Sequence, residues 1–213
     1  MVVMLGIALS EVRGLLNDLL EKLSGRDGEK WLTELKKFLR GESCWVSKPN
    51  PYLRKITEGV LGATTGERTL AKAGELFSAS LDSDFAYWGT DVVGPATEEA
   101  PFEVFEMVKD GTFEQVFGAF GVDRKKLCWS QDQITTFVEA HESLLHPDGW
   151  ATFFLFSVKL EEGTENEHEE EFFVVDVCRR DVGQLRADAY RLSNDFVWLA
   201  ESRNRFVVPQ LAL

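Results

Sequence analysis

The chain has 213 residues, of which 44% are hydrophobic and 28% charged, the composition of an ordinary folded protein, which excludes large-scale disorder. A chain of this size buries roughly 70% of its unfolded surface, so it needs neither metal nor disulfide to fold. Its formal net charge of −13 excludes general binding to a phosphate backbone, since nowhere are basic residues gathered free of acids.

The acids are spread unevenly. Glu161 to Glu171 holds seven glutamates and no lysine or arginine, leaving −6 for the rest of the chain. Cys44, Cys128 and Cys178 are odd in number, widely spaced, and lack both a CxxC pair and a histidine at a zinc-like offset, so a reducing cytoplasm is expected, with no metal and no cofactor.

The apolar run Met1 to Leu9 has no basic leader and leads straight into an amphipathic pattern, so it reads as buried structure and not as a signal peptide or membrane span. Val12, Leu15, Leu16, Leu19, Leu20 and Leu23 fall on one helix face. A second helix is predicted over 28–40, with Trp31, Leu32, Leu35, Phe38 and Leu39 on one side. Joined by Gly25-Arg26-Asp27-Gly28, they form a helical hairpin over residues 1–46 whose apolar stripes need a partner surface. Pro49 and Pro51 then mark a linker over 47–66, within which 52–61 reads as either a short strand or a loop. The main domain follows, over 67–213.

Within that domain a helix is predicted over 67–81, weakened by Gly74, and another from Pro101, with Phe102, Val104, Phe105 and Val108, to a break at Asp110-Gly111. Thr112 caps a helix carrying Phe113, Val116, Phe117 and Phe120, and Ser130 caps one carrying Ile134, Phe137, Val138, His141, Leu144 and Leu145. His146 is placed to cap the end of that helix.

Two strands, 150–158 and 171–177, are rich in aromatic and β-branched residues and flank the acidic loop. After a turn at Asp181-Val182-Gly183-Gln184 come strands at 185–192, 196–200 and 205–208, stopped by Pro209. The expected architecture is α+β: an N-terminal helical hairpin, further helices, then a C-terminal antiparallel meander of about five strands.

Several runs together resemble a family of uncharacterised bacterial proteins known mainly from genomes of uncultured candidate groups. They are Trp31 to Arg40, Asp82-Ser83-Asp84-Phe85 with Trp88-Gly89, Phe105 to Gly111, Leu127-Cys128 with Gln133-Ile134, Gly149 to Phe156, and Arg205 to Leu211. The resemblance spans nearly the whole chain and implies no activity, substrate or cofactor. It implies a shorter, less acidic loop between the two aromatic strands, which makes the glutamate run a local elaboration.

Each candidate site has a plainer structural reading. The glutamate run with His168 offers oxygens for a hard cation, but adjacent like charges keep such a loop solvated. Asp82 and Asp84 have a spacing used to hold metal-bound phosphates, and equally that of an Asx turn. Cys128 and His141 would make a nucleophile pair only if the thiolate were exposed and within reach of the imidazole. Arg179 opposite Arg186 would need an anion between them unless the turn register differs, with Asp176, Asp181, Asp188 and Asp195 as partners. Trp198, Tyr190 and the loop Glu201 to Asn204, which includes Arg203, offer a stacking surface for a ligand or partner, though large aromatics in strands are more often core; Trp88 and Arg205 are further candidate binding residues.

No Walker, HExxH or GxSxG pattern is present. The leading expectation is therefore a cytoplasmic binding or interaction protein, self-associating or engaging a protein partner through a sheet edge, with no nucleic acid and no membrane. The alternatives are a small hydrolase using Asp82 and Asp84 or Cys128 and His141, and an acidic inhibitor or immunity-type protein.

Overall fold

The computed structural model describes residues 9–41, 49–159, 170–180 and 183–211. They fall into two compact units divided after Ser47. The calls on Cys44, on the glutamate run from Glu161 to Glu169 with His168, and on Asp181 and Val182 lie outside the described residues.

The first unit is the expected hairpin, α1 (Leu9–Ser24) and α2 (Gly28–Leu39). The Ser24 hydroxyl donates back to the Leu20 carbonyl at 2.8 Å, and Gly28 turns the chain where a Cβ would lie 2.1 Å from the Leu23 carbonyl oxygen. No described helix is long and apolar enough to cross a membrane.

The second unit is an α+β body on a mixed sheet of seven strands, in the order β1-β3-β7-β4-β5-β6-β2. The strands are β1 (Leu53–Leu61), β2 (Ser80–Leu81), β3 (Ala100–Met107), β4 (Thr152–Lys159), β5 (Glu170–Arg179), β6 (Leu185–Arg191) and β7 (Arg205–Pro209). Three short helices accompany them, α3 (Asp84–Tyr87), α4 (Phe113–Gly118) and α5 (Gln131–Ala140).

The central strand β4 is buried over nearly its whole length, which requires cover on both faces. Phe154, Phe156, Phe173, Val175 and Val177 face one cluster, packed by Ile134, Phe137 and Val138 of α5 and Phe85 of α3. Phe153, Leu155, Val174, Phe206 and Val208 face the other, packed by Phe113, Val116 and Phe117 of α4.

Several expectations are corrected. The segment from Pro101 is strand β3, because Phe102 and Val104 fall on one face and Phe105 and Met107 on the other, a period of two that also fits helical i, i+3 spacing. Of the two readings of 52–61 the strand is the right one: the stretch read as linker holds β1, an edge strand paired antiparallel with β3. The helix expected over 67–81 is reduced to a 3-10 turn at Leu70–Lys72, since neighbours draw its backbone donors away: Leu70 N–H donates to Gln131 Oε1 at 2.9 Å and Ala79 N–H to the Leu185 carbonyl at 2.9 Å.

The sheet is not an antiparallel meander. Strands β4, β5 and β6 do form one, but β7 leaves β6, passes β5 and β4, and inserts between β4 and β3, parallel to β4. The 196–200 segment expected as a strand is part of that crossover and makes a single bridge, Trp198 to Gly111.

The two capped helices start where the sequence puts them, each with a reciprocal capping box, Thr112 with Gln115 and Ser130 with Gln133, but end earlier, at Gly118 and Ala140. Ser130→Ala removes an acceptor for the Gln133 N–H at 3.1 Å and is expected to lower stability by about 1 kcal/mol. Urea denaturation checks this; an unchanged midpoint would mean the box carries no weight.

Candidate functional site

Five strand residues with polar tips lie on the α4 side of the sheet, where an apolar pattern would be expected. On β5 the alternation that sends Val174 to that side also sends Asp176 and Cys178, and β6 adds Arg186, Asp188 and Tyr190. Asp176 and Asp188 are direct cross-strand partners, as are Cys178 and Arg186. The two carboxyl groups thus meet on neighbouring strands, at the spacing where like charges repel.

The crossover between β6 and β7 closes the other side. Asn194 Oδ1 accepts the Phe196 N–H at 2.8 Å, the backbones of Trp198 and Gly111 exchange two hydrogen bonds at 3.0 and 3.1 Å, and Asp110 Oδ1 accepts the Ala200 N–H at 2.7 Å. The Trp198 ring lies 4.6 Å from Phe153, 4.9 Å from Phe196, 5.3 Å from Phe113 and 5.7 Å from Tyr190, centroid to centroid. Its indole N–H is buried and has no hydrogen-bond partner among the described residues.

A third wall is the turn before β4. His146 is 4% exposed; its backbone N–H donates to Thr152 Oγ1 at 2.9 Å, and its Nδ1 accepts the Asp148 N–H at 3.2 Å. Burial, then the Arg205 charge, lowers its proton affinity. It therefore does not cap a helix as a cation: α5 ends at Ala140, and His146 is a neutral acceptor shaping this turn. Gly149 follows at φ +77, where a Cβ would stand 2.7 Å from the Arg179 carbonyl oxygen, so the turn needs glycine to lie against β5.

Between these walls is an open cavity of about 600 Å³. Asp176, Arg186, Asp188 and Tyr190 form its floor, Phe196 and Trp198 its wall, and Asp148, Trp150 and Glu201 its mouth. Trp150 and Phe196 are 54% and 58% exposed, so large apolar rings stand open beside charged groups.

The electrostatics divide the pair. Arg186 Nε donates to Asp188 Oδ1 at 2.8 Å and lies 2.7 Å from its Oδ2. Asp176 is only 5% exposed and takes a bond from the Cys178 thiol to Oδ1 at 3.0 Å. Burial, reinforced by the Asp188 charge, pushes the Asp176 carboxyl up to about 7. Burial and the same two acids raise the Tyr190 phenol to about 12, and burial raises the Cys178 thiol. Asp176 thus exchanges its proton near neutrality beside a carboxylate fixed in an ion pair.

The candidates drawn from the sequence are dispersed. Trp198 is in the cavity wall, and Ser202 and Asn204 line it on either side of Arg203, which is exposed and left-handed at φ 50. Arg205 points elsewhere: its Nη1 donates to the Leu144 and Leu145 carbonyls at 2.7 and 2.8 Å, closing the 3-10 turn after α5. Trp88 stacks on Phe173 at 5.7 Å with Arg191 over its ring at 5.0 Å, on the α5 side of the sheet.

Asp82 forms an Asx turn, its Oδ1 accepting the Asp84 N–H at 3.0 Å and its Oδ2 the Ala189 N–H at 3.3 Å, while Asp84 opens α3. His141 is half-buried against Phe102 and Phe137, at 5.0 and 5.2 Å, whereas Cys128 packs on the opposite core cluster. Burial raises the Cys128 thiol to about 12, so these two are separated by the sheet and the sulfur is held protonated. Arg179 faces Leu185, not Arg186, and its guanidinium bonds the Glu142 carbonyl at 2.9 Å, so the like-charge clash is avoided by register.

Sequence reasoning named Asp176 and Asp188 only as partners for arginines. The available signal was an acid inside the apolar run Phe173-Val174-Val175-Asp176-Val177, where a buried charge is expensive unless it is paired and hydrogen-bonded. The fold and site define an α+β protein with a seven-stranded mixed sheet and a cavity under its β6-to-β7 crossover. No family, curated protein or solved structure matches the chain.

Proposed function

We propose that this is a small-molecule-binding protein whose ligand occupies the cavity above Asp176 and Asp188. The observation that carries the reading is the convergence of open aromatic rings and a buried carboxyl pair on one cavity of about 600 Å³, within the size range of ligand sites and with their mix of apolar walls and few polar anchors. This narrows the expectation of a binding protein from a sheet edge to a pocket. The β1 edge offers a partner less: it carries Arg54, Lys55 and Glu58 and a register irregularity between Lys55 and Thr57, features that discourage strand addition.

A second reading is acid–base catalysis by the same pair, favoured by the burial that raises the proton affinity of Asp176 beside the Asp188 carboxylate paired with Arg186. The hydrolase readings have less support, since Asp82 is taken up in an Asx turn and Asp84 opens α3, while His141 and Cys128 pack on opposite sides of the sheet.

The test is a fragment screen read on the indole NMR signals. Binders are expected to shift Trp150 and Trp198 while leaving buried Trp129 in place, and Phe196→Ala, at an exposed position, is expected to weaken them about tenfold without altering the fold. Binders that map elsewhere, or none at all, would refute the reading.

A further inference from the structure

Asp176 has no cationic partner among the described residues. Arg186, the nearest guanidinium on the facing strand, is committed to Asp188 through its Nε, and the Cys178 thiol satisfies only Oδ1 of Asp176. The other groups around Asp176 are Asp188 and Tyr190 on β6, Arg180 beyond the end of its own strand, and Asp148 and Glu201 at the mouth. Its partner on β4, Phe153, is uncharged.

When Asp176 is ionised, the cavity wall holds four carboxylates, Asp148, Asp176, Asp188 and Glu201, against two guanidinium groups, Arg180 and Arg186. The site is short of positive charge, and the whole chain, at −13, draws cations towards it. A buried acid without a counter-charge is strongly disfavoured in its ionised form, and a ligand that supplies the charge restores it.

The chemistry of the walls selects the kind of cation. Among the described residues no group of three or more His, Cys, Asp or Glu side chains suits a metal ion. The cavity instead offers the rings of Trp150, Tyr190, Phe196 and Trp198, which suit an apolar body and attract an organic cation through their faces. An ammonium group brings three donors and no acceptor, and the carboxyl oxygens of Asp176 and Asp188 are the acceptors it meets on the floor.

Resting on the reading of this cavity as a ligand site, we propose that its ligand is an organic ammonium ion with an apolar or aromatic body, its nitrogen held between Asp176 and Asp188 and its body against Phe196 and Trp198. Binding is then an exchange of cations. The free protein carries a proton on Asp176; the ammonium ion enters, the proton leaves to solvent, and the net charge of the complex equals that of the protonated free protein. No covalent bond other than that O–H bond is broken.

Benzylammonium, benzyl alcohol and benzoate, matched in size, test this by titration of the Trp150 and Trp198 indole signals between pH 5 and pH 7. With the Asp176 carboxyl at about 7, benzylammonium affinity is expected to rise about 50-fold over that range as the ionised fraction grows, while benzyl alcohol stays flat and benzoate binds most weakly. Asp176→Asn is expected to flatten the benzylammonium profile, with Asp176→Ser as a second variant should the first alter the fold; the wild-type profile stands without either. Equal binding of benzylammonium and benzyl alcohol, a flat wild-type profile, or preference for benzoate would overturn the ammonium assignment and leave the cavity as a ligand site. If none of the three probes moves either indole signal, the cavity reading falls and this one with it.

Discussion

Phe153→Ala is expected to lower the unfolding free energy of the sheet unit by about 3–5 kcal/mol, a large share of the stability of an ordinary domain. Phe153 is fully buried near the start of β4, and its ring meets those of Trp198, Phe113 and Phe206 at 4.6, 4.9 and 5.0 Å. These neighbours come from the crossover, α4 and β7, three segments with independent backbone attachments, so the space left by the ring cannot close by one small movement. The crossover loses its seat, and the Trp198 indole signal is expected to shift with the stability. Urea denaturation at pH 7 measures the loss. Tyr87→Ala, at a position 84% exposed, serves as the reference and is expected to stay within about 0.5 kcal/mol of wild type. A Phe153→Ala loss below about 1 kcal/mol would mean that the crossover is not held through this ring.

What could be read from the sequence was what is decided locally. The strands around Phe153-Phe154-Leu155-Phe156 and Phe172-Phe173-Val174-Val175 announce themselves by composition, and the helices after Thr112 and Ser130 by capping boxes closed within four residues. What failed depends on distant partners. Phe102, Val104 and Phe105 satisfy a helical and a strand spacing alike, and only pairing with β1 and β7 decides between them. The segment 67–81 has helical composition, yet its backbone donors go to Gln131 and to the edge of β6. The position of β7 between β3 and β4 leaves no mark on its own five residues, Arg205–Pro209. The site shares this fate: Trp198 could be singled out as a large aromatic in the run Phe196 to Ala200, but the meeting of Asp176 with Asp188 is a matter of the β5–β6 register.

Asp176→Asn is expected to stabilise the protein by about 2–4 kcal/mol at pH 8 and to change little at pH 4. The sign follows from the direction of the shift. The carboxyl is raised from its ordinary 3.8 to about 7 in the folded state, so below pH 4 both states hold the proton and burial of the neutral acid carries no charge penalty. As pH rises past 4 the unfolded chain ionises first, and the native state loses about 1.4 kcal/mol per pH unit until Asp176 itself ionises near 7. Above that the loss is complete and constant, about 4 kcal/mol at most. Asparagine cannot ionise: its oxygen can still accept from the Cys178 thiol, which meets Oδ1 at 3.0 Å in the wild type, and its amide can donate to the Asp188 carboxylate opposite. Urea midpoints at pH 4, 6 and 8 separate the outcomes. Wild-type stability falling across this series while the variant's does not marks Asp176 as the group responsible; parallel curves would mean that the acid is already compensated in the folded state. A stabilising substitution at one buried position is the mark of a residue kept against the interest of the fold, and the cavity it faces, with its unmatched negative charge, is where that interest lies.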